Sequence, residues 1–423
     1  MVEETATDLA IPAPPAEVAS AASPKRSRAL LYGISAGHGV KHFGQGAVLI
    51  LVPEVKATLG LSDVAVGAMF GARDASSGLA NVPAGLLTDM YRHRVPLLLM
   101  ASMALVGASY VMLGLSSWYW LTLLALVVIG AGTSLWHAPA FSELALRYPE
   151  RRGFAMAAHS TGAQVGNTTA PITIGLLLGG VSILGIEWGG LGWRTVALLL
   201  VVPALATVVV IAARFRGGAP SETRVSLRDY LAASGRLLRN PAVLAQAVLH
   251  ALRGAAHNSI QLFLVIYMAE ELDYSDFSVG VHVSLLTLAG IASTPVLGTM
   301  SDRFGRRAVS TASMAAIAAL SLAFLWADHG WLLTLNIVLL GVFIFSIMPV
   351  IVAAAMDATD IGSEGTSVAA LFAGGALIGA AAPPVAGAIN TDAGFDGVVL
   401  FVAALAAAGT VLAWFAPRRR GTA

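Results

Sequence analysis

The sequence predicts an all-α integral membrane protein of twelve transmembrane helices, organised as two tandem halves of six. Three observations carry that expectation. The chain is 57% hydrophobic and only 12% charged, with a mean hydropathy of +0.77. A soluble globular chain carries about 25% charged residues, so no fold could keep this much apolar surface from water. The apolar runs recur at the ~20 residues needed to cross a bilayer core. Three landmarks also recur at one spacing, beginning with Gly85 and Gly298, which lie 298 − 85 = 213 residues apart.

The spans are expected at 30–55, 63–87, 95–114, 118–145, 153–181 and 193–213, then at 241–268, 277–300, 308–327, 331–355, 365–390 and 395–416. Residues 1–28 read as a disordered tail broken by Pro12, Pro14 and Pro15, and 29–213 as the N-terminal half. A linker follows at 214–240, holding Arg214, Arg216, Arg224, Arg228, Arg236 and Arg239. The C-terminal half takes 241–416 and a basic tail 417–423. The start lacks the basic stretch and apolar core of a signal peptide, so the first span is expected to direct insertion. Lysine and arginine crowd the tails, the linker and the loops after the even spans, while the opposite loops hold Lys56 and Arg194 among acidic residues. Because cytoplasmic loops retain positive charge, both termini are expected in the cytoplasm and the multi-pass chain in the inner (cytoplasmic) membrane.

The chain has no cysteine, hence no disulfide and no thiolate metal site. It also lacks His-Glu-x-x-His, Gly-x-Ser-x-Gly and the phosphate-cradling Gly-x-x-x-x-Gly-Lys-Ser/Thr loop. No catalytic residue, metal or cofactor is expected, and no nucleic-acid partner.

The other landmarks are Leu61 to Gly67 with Tyr274 to Gly280, and Gly162, Gly166 and Pro171 with Gly375, Gly379 and Pro384. The stretch Gly298-x-x-x-Asp302-x-x-Gly305-Arg306-Arg307 resembles the hairpin motif of the major facilitator superfamily of secondary transporters. Its first copy, Gly85 to Arg94, has Arg92 where the glycine belongs. The resemblance implies the major facilitator fold: two parallel six-helix halves, a substrate near the bilayer midplane between them, and a cavity lined by the first, fourth, seventh and tenth helices. It also implies a gating role for Gly85, Asp89, Arg94, Gly298, Asp302, Gly305 and Arg306. A monomer is expected.

The repeat separates scaffold from function, since a polar residue present in both halves has an architectural reason to be there. The paired glycine–proline sets read as scaffold, small residues permitting close helix contact. Charges inside the spans need another account, because an ionisable group at the bilayer centre must face a cavity or a partner. The first span carries His38, Lys41, His42 and Gln45 in one helical stripe, and the seventh carries His250, Arg253, His257 and Gln261. The second span holds Arg73 and Asp74, with Ser77 and Asn81 continuing the Asp74 stripe, whereas the repeat positions are Leu286 and Thr287. Two readings of Arg73 and Asp74 stand: a pair that neutralises itself in lipid, or a proton-binding Asp74 tuned by Arg73 or Lys41. Each histidine is likewise open to a packing or a proton-relay role.

The run Gly130-x-Gly132-x-Ser134-x-x-His137-x-Pro139, then Gly162-x-x-x-Gly166-Asn167 with His159 and Gln164 on the same span, and His38 early in the first, is similar to the fosmidomycin-resistance type of facilitator over the first 180 residues or so. Leu126 stands where many drug antiporters have an arginine. Lys41, Arg73 and Arg253 outnumber the mid-span carboxylate Asp74, and a ligand anion can supply the missing charge. The substrate is therefore expected to be a small organic anion, with fosmidomycin, a phosphonate, the one the resemblance implies. The expected ligand set is Lys41, His42, Gln45, Arg73, His137, Gln164, Asn167, Arg253, His257 and Gln261, with Asp74 and His38 as proton carriers. Proton-coupled efflux is the expected activity. Uptake or anion exchange is the alternative, and a non-transporting receptor a remote one.

Overall fold

The computed structural model describes residues 24–183, 186–215, 240–358, 371–372, 374–376 and 379–416. The tail before residue 24, the linker beyond Phe215 and the basic C-terminal tail lie outside the described residues, as does the side chain of Asp89.

The first span is formed by α1 (Pro24–Ile50) and α2 (Val52–Leu59), the second by α3 (Asp63–Met90), the third by α4 (Val95–Gly114), the fourth by α5 (Tyr119–Arg147) and the fifth by α6 (Arg152–Gly179). The sixth is formed by α7 (Trp193–Leu199) and α8 (Val201–Arg214). In the second half α9 (Pro241–Glu270), α10 (Asp276–Phe304), α11 (Arg306–Ala323) and α12 (Gly330–Asp357) are the seventh to tenth spans. The last element, α13 (Ala382–Phe415), runs from the eleventh span into the twelfth across a break at Gly394, whose φ is 63°. One strand pair interrupts the all-α expectation: β1 (Val181–Ile183) and β2 (Ile186–Trp188) form an antiparallel hairpin after α6.

Six helices among the described residues are long and apolar enough by themselves to cross a membrane. The long helices α1, α3, α6 and α9 fall outside that set, and they carry most of the expected site. The polar side chains of the expected site on these helices are buried or half-buried, which lowers helix hydropathy without exposing those charges to lipid.

The repeated landmarks have physical counterparts. Ser62 Oγ accepts from Ala65 N at 3.2 Å and Ser275 Oγ from Ser278 N at 3.3 Å, so the second landmark is a helix cap used twice. Gly67 and Gly280, at the same repeat position, meet the prolines of the third landmark in the opposite half. A Cβ on Gly67 would lie 2.3 Å from the Pro383 carbonyl oxygen and 2.8 Å from Pro384 Cα, and one on Gly280 would lie 2.3 Å from the Pro171 oxygen. The halves thus grip each other reciprocally, α3 on the start of α13 and α10 on α6.

The hairpin copies differ in backbone. Gly305 breaks the chain between α10 and α11 at φ 91° and ψ 144°, a conformation that favours glycine. Arg92 to Arg94 instead form a 3₁₀ turn, which arginine tolerates. The departure at Arg92 therefore changes the turn type and leaves the connection intact.

Candidate functional site between the halves

Helical spacing puts His38, Lys41 and His42 on one face of α1, and a close contact with α6 closes over them. A Cβ on Gly166 would lie 2.1 Å from the Gly39 carbonyl oxygen, so only glycine allows this approach. His38 is 5% exposed, Lys41 1% and His159 0%. The Lys41 ammonium donates to His137 Nε2 on α5 at 2.7 Å. His38 Nδ1 donates to the His159 carbonyl at 2.9 Å, and the two imidazoles stack at 3.9 Å with 5° between their planes.

Proton positions follow from these contacts. With its Nδ1 proton committed, neutral His38 can only accept at Nε2, so His42 Nε2, 3.1 Å away, donates. The other His42 nitrogen faces Asn167 Oδ1 at 3.2 Å, an oxygen that only accepts. A doubly protonated His42 satisfies both neighbours; a neutral one requires the Asn167 amide to turn and donate.

Ligand atoms of His38, His137 and His159 lie within 4.8 Å of one another. Parallel stacking of His38 on His159 keeps their nitrogens from converging on one point, and the Lys41 ammonium sits beside His137. A metal cation fits this arrangement poorly.

The second focus lies on the seam. Arg73 Nε and Nη2 donate to Asp74 Oδ1 at 2.9 and 2.8 Å, and Asn258 Nδ2 of α9 donates to Oδ2 at 2.6 Å. Arg73 also lies over the Phe70 ring at 4.6 Å. Both readings of the pair receive one of their requirements: the charges neutralise each other, and the carboxylate faces the other half.

Several expectations need correction. Lys41 is the partner of His137, so of the two cations it is Arg73 that lies beside Asp74. Ser77 does not continue the Asp74 stripe into a cavity; its hydroxyl bonds Ser134 Oγ on α5 at 2.6 Å. Arg253 is buried and directs Nε at 2.8 Å, together with Nη2, to the Ile344 carbonyl on α12, fastening two helices of one half. His257 sits edge-on to Phe345 at 4.7 Å, and its Nε2 has no partner. Gln45, Gln164 and Gln261 are half-buried on α1, α6 and α9. Of the expected gating residues, Arg306 pairs with Asp302 and, at 3.3 Å, with Asp357. Arg94 donates to His93 at 3.2 Å.

Sequence reasoning missed Asn258, which occupies the repeat position of Gln45, 258 − 45 = 213 residues on. It also missed a polar seal at the end opposite the hairpins. There Lys56 lies 2.6 Å from Asp63 and 2.5 Å from Glu270 of the other half, while Asn390 donates to Asp63 at 2.9 Å. The Lys56 ammonium pairs with both carboxylates, which offset the cost of burying its charge. Lys56 standing nearly alone among acids on that side was the available signal.

Two matches of the family profile described as Major Facilitator Superfamily cover residues 34–255 and 246–423. The chain belongs to the major facilitator superfamily. Like other major facilitator proteins it is a membrane transporter rather than an enzyme, and its twelve spans form the two six-helix halves of that fold. It is 25% identical over 327 residues to the fosmidomycin resistance protein of Escherichia coli (strain K12), covering 76% of this chain and 77% of that protein. It is 24% identical over 330 residues to an MFS-type transporter of Gibberella moniliformis (strain M3125 / FGSC 7600), covering 74% and 73%. Crystal structures of a bacterial homologue of the human lysosomal transporter Spinster share the fold, at 16% identity. Its inward-facing unoccupied form has a TM-score of 0.78 and its occupied form 0.79, each covering 93% of this chain and 97% of that one.

Proposed function

We propose that this facilitator carries a small organic anion, a phosphonate, phosphate ester or carboxylate, across the cytoplasmic membrane by alternating access, coupled to protons and in the direction of export. Charge is the observation that carries the reading. Lys41 and Arg253 are buried cations with no carboxylate in ion-pair range among the described residues, and Asp74 is already shared with Arg73. Buried charge without a counterion costs several kcal/mol, and an anion arriving between the halves removes that cost. Lys41, His42, His137, Asn167 and Arg73 supply donors, the half-buried Gln45, Gln164, Gln261 and His257 complete the wall, and Arg253 contributes its field. Export is supported by the Escherichia coli relative, whose name records resistance to fosmidomycin. Cytoplasmic termini are supported by the placement of lysine and arginine.

Asp74 is the proton carrier in this reading, with His38, His42, His137 and His257 as the next candidates. One contact favours the second reading, proton-driven uptake or exchange. An anion that draws Arg73 away leaves the Asp74 carboxylate free to take a proton, so anion and proton promote each other's binding, and ligands that bind together travel together. Everted membrane vesicles with an acid lumen separate the two. Export by antiport expects labelled phosphonate to accumulate in the lumen, while symport expects its gradient-driven loss from preloaded vesicles. If neither flux responds to the gradient, proton coupling is wrong.

A further inference from the structure

A cavity of about 500 Å³ opens at the hairpin end of the C-terminal half, apart from the site between the halves. It is bounded by the starts of α9 and α11 and the ends of α12 and α13, and its wall is organised around the first turn of α11. That helix is 18 residues long and its N-cap, Gly305, has no side chain to cap it. The first-turn N–H groups of Arg306, Arg307 and Ala308 thus present the positive end of the helix to the cavity they line.

An independent observation points to a ligand. Ser310, also in the wall, is 3% exposed, and its Oγ has no hydrogen-bond partner; Gln246 Oε1, from the α9 wall of the same cavity, is buried and unpartnered as well. Leaving such groups unpaired is costly. The charges are asymmetric. Arg306 is balanced by Asp302 and Asp357, whereas Arg307 lies over the Trp414 ring at 5.3 Å and has no carboxylate in ion-pair range among the described residues.

We infer that this cavity binds a phosphate group carrying a neighbouring hydroxyl. Arg307, the open N–H groups of α11 and the Ser310 hydroxyl hold the phosphate oxygens, and Gln246 Oε1 accepts from the hydroxyl. Trp414 and Phe415, 57% and 74% exposed beside the cavity, resemble the aromatic belt of a membrane interface, where lipid headgroups supply this chemistry. Hydrogen phosphate in solution supplies it too.

Full-length protein in dodecyl maltoside, a detergent without phosphate, distinguishes the sources. Its thermal unfolding midpoint is followed against inorganic phosphate in one arm and phosphatidylglycerol in the other. A saturable rise is expected in at least one arm: with the lipid alone it assigns a headgroup site, with phosphate alone a soluble ligand. Ser310→Ala and Arg307→Gln should each weaken the apparent affinity roughly tenfold, the size of a charge-assisted hydrogen bond. Arg303→Gln, which removes the same charge from a residue stacked on Phe304 and outside the cavity wall, should leave it unchanged. No rise in either arm, a rise that survives both cavity variants, or an equal loss in Arg303→Gln overturns the proposal.

Discussion

The amide of Asn258 donates to Asp74 Oδ2 at 2.6 Å, and because the two residues belong to different halves this bond crosses the seam that the proposed alternating access would open. With Arg73 on the other oxygen, the carboxylate answers both to a cation and to the opposing half. Asp74→Asn should therefore leave substrate counterflow intact, since counterflow needs no net proton movement, and abolish accumulation driven by a pH gradient. A variant that responds fully to the gradient would pass the role to His38, His42, His137 or His257.

Arg253 separates two kinds of buried cation. Because its guanidinium is bonded to the Ile344 carbonyl, Arg253→Gln should lower stability by about 1.5–3 kcal/mol, the worth of a charged hydrogen bond, visible as a lower unfolding midpoint without ligand. Arg253→Lys should recover part, since a point charge replaces a fork. Unchanged stability with a large loss of phosphonate affinity would restore Arg253 to direct ligand contact.

The ion pairs of Arg306 stay within the C-terminal half, at the rim. Asp302→Asn should slow transport while equilibrium substrate affinity stays within a few-fold. Lost binding in correctly inserted protein would count against a gating role.

Lys56 bridges Asp63 and Glu270 across the halves. Since the chain has no cysteine, cysteines introduced at the exposed positions Ala57 and Glu271 would be unique spin-label sites. Lys56→Gln should enlarge the longer-distance population between them. The partly exposed pair is worth at most about 1 kcal/mol, so the shift should be several-fold and no more; an unmoved distribution would relieve Lys56 of any sealing role.

Gly166 faces the Gly39 carbonyl. Gly166→Ala should destabilise the protein by about 1–3 kcal/mol through overpacking, measured by thermal unfolding, and Val165→Ala on the exposed side of the same helix should not.

The sequence exposed what periodicity can express. The stripe on α1 did converge with His137 and Asn167, and the landmarks Gly67, Gly280, Pro171 and Pro384 met as reciprocal contacts. Periodicity names a face and leaves the depth and partner of a side chain open. Ser77 lay on the predicted face yet turned to Ser134, Arg253 found a backbone carbonyl that no residue type announces, and Asn258 joined Asp74 across 184 positions of chain. His159 was visible as a polar residue in a span, but its stacking on His38 depends on how closely two glycine-bearing helices approach.

The burial of His38 against His159 also constrains how the protein is made. The residues are 121 positions apart, and ribosomes add ~5–20 residues per second, so α1 waits about 6–24 s for the helix whose imidazole stacks on His38. Until α5 brings His137 to it, Lys41 at the centre of α1 must stay in polar surroundings, because hydrocarbon offers the charge no partner. Assembly of the first half is therefore timed by its fifth span, and truncation before α6 should yield a fragment that fails to integrate stably.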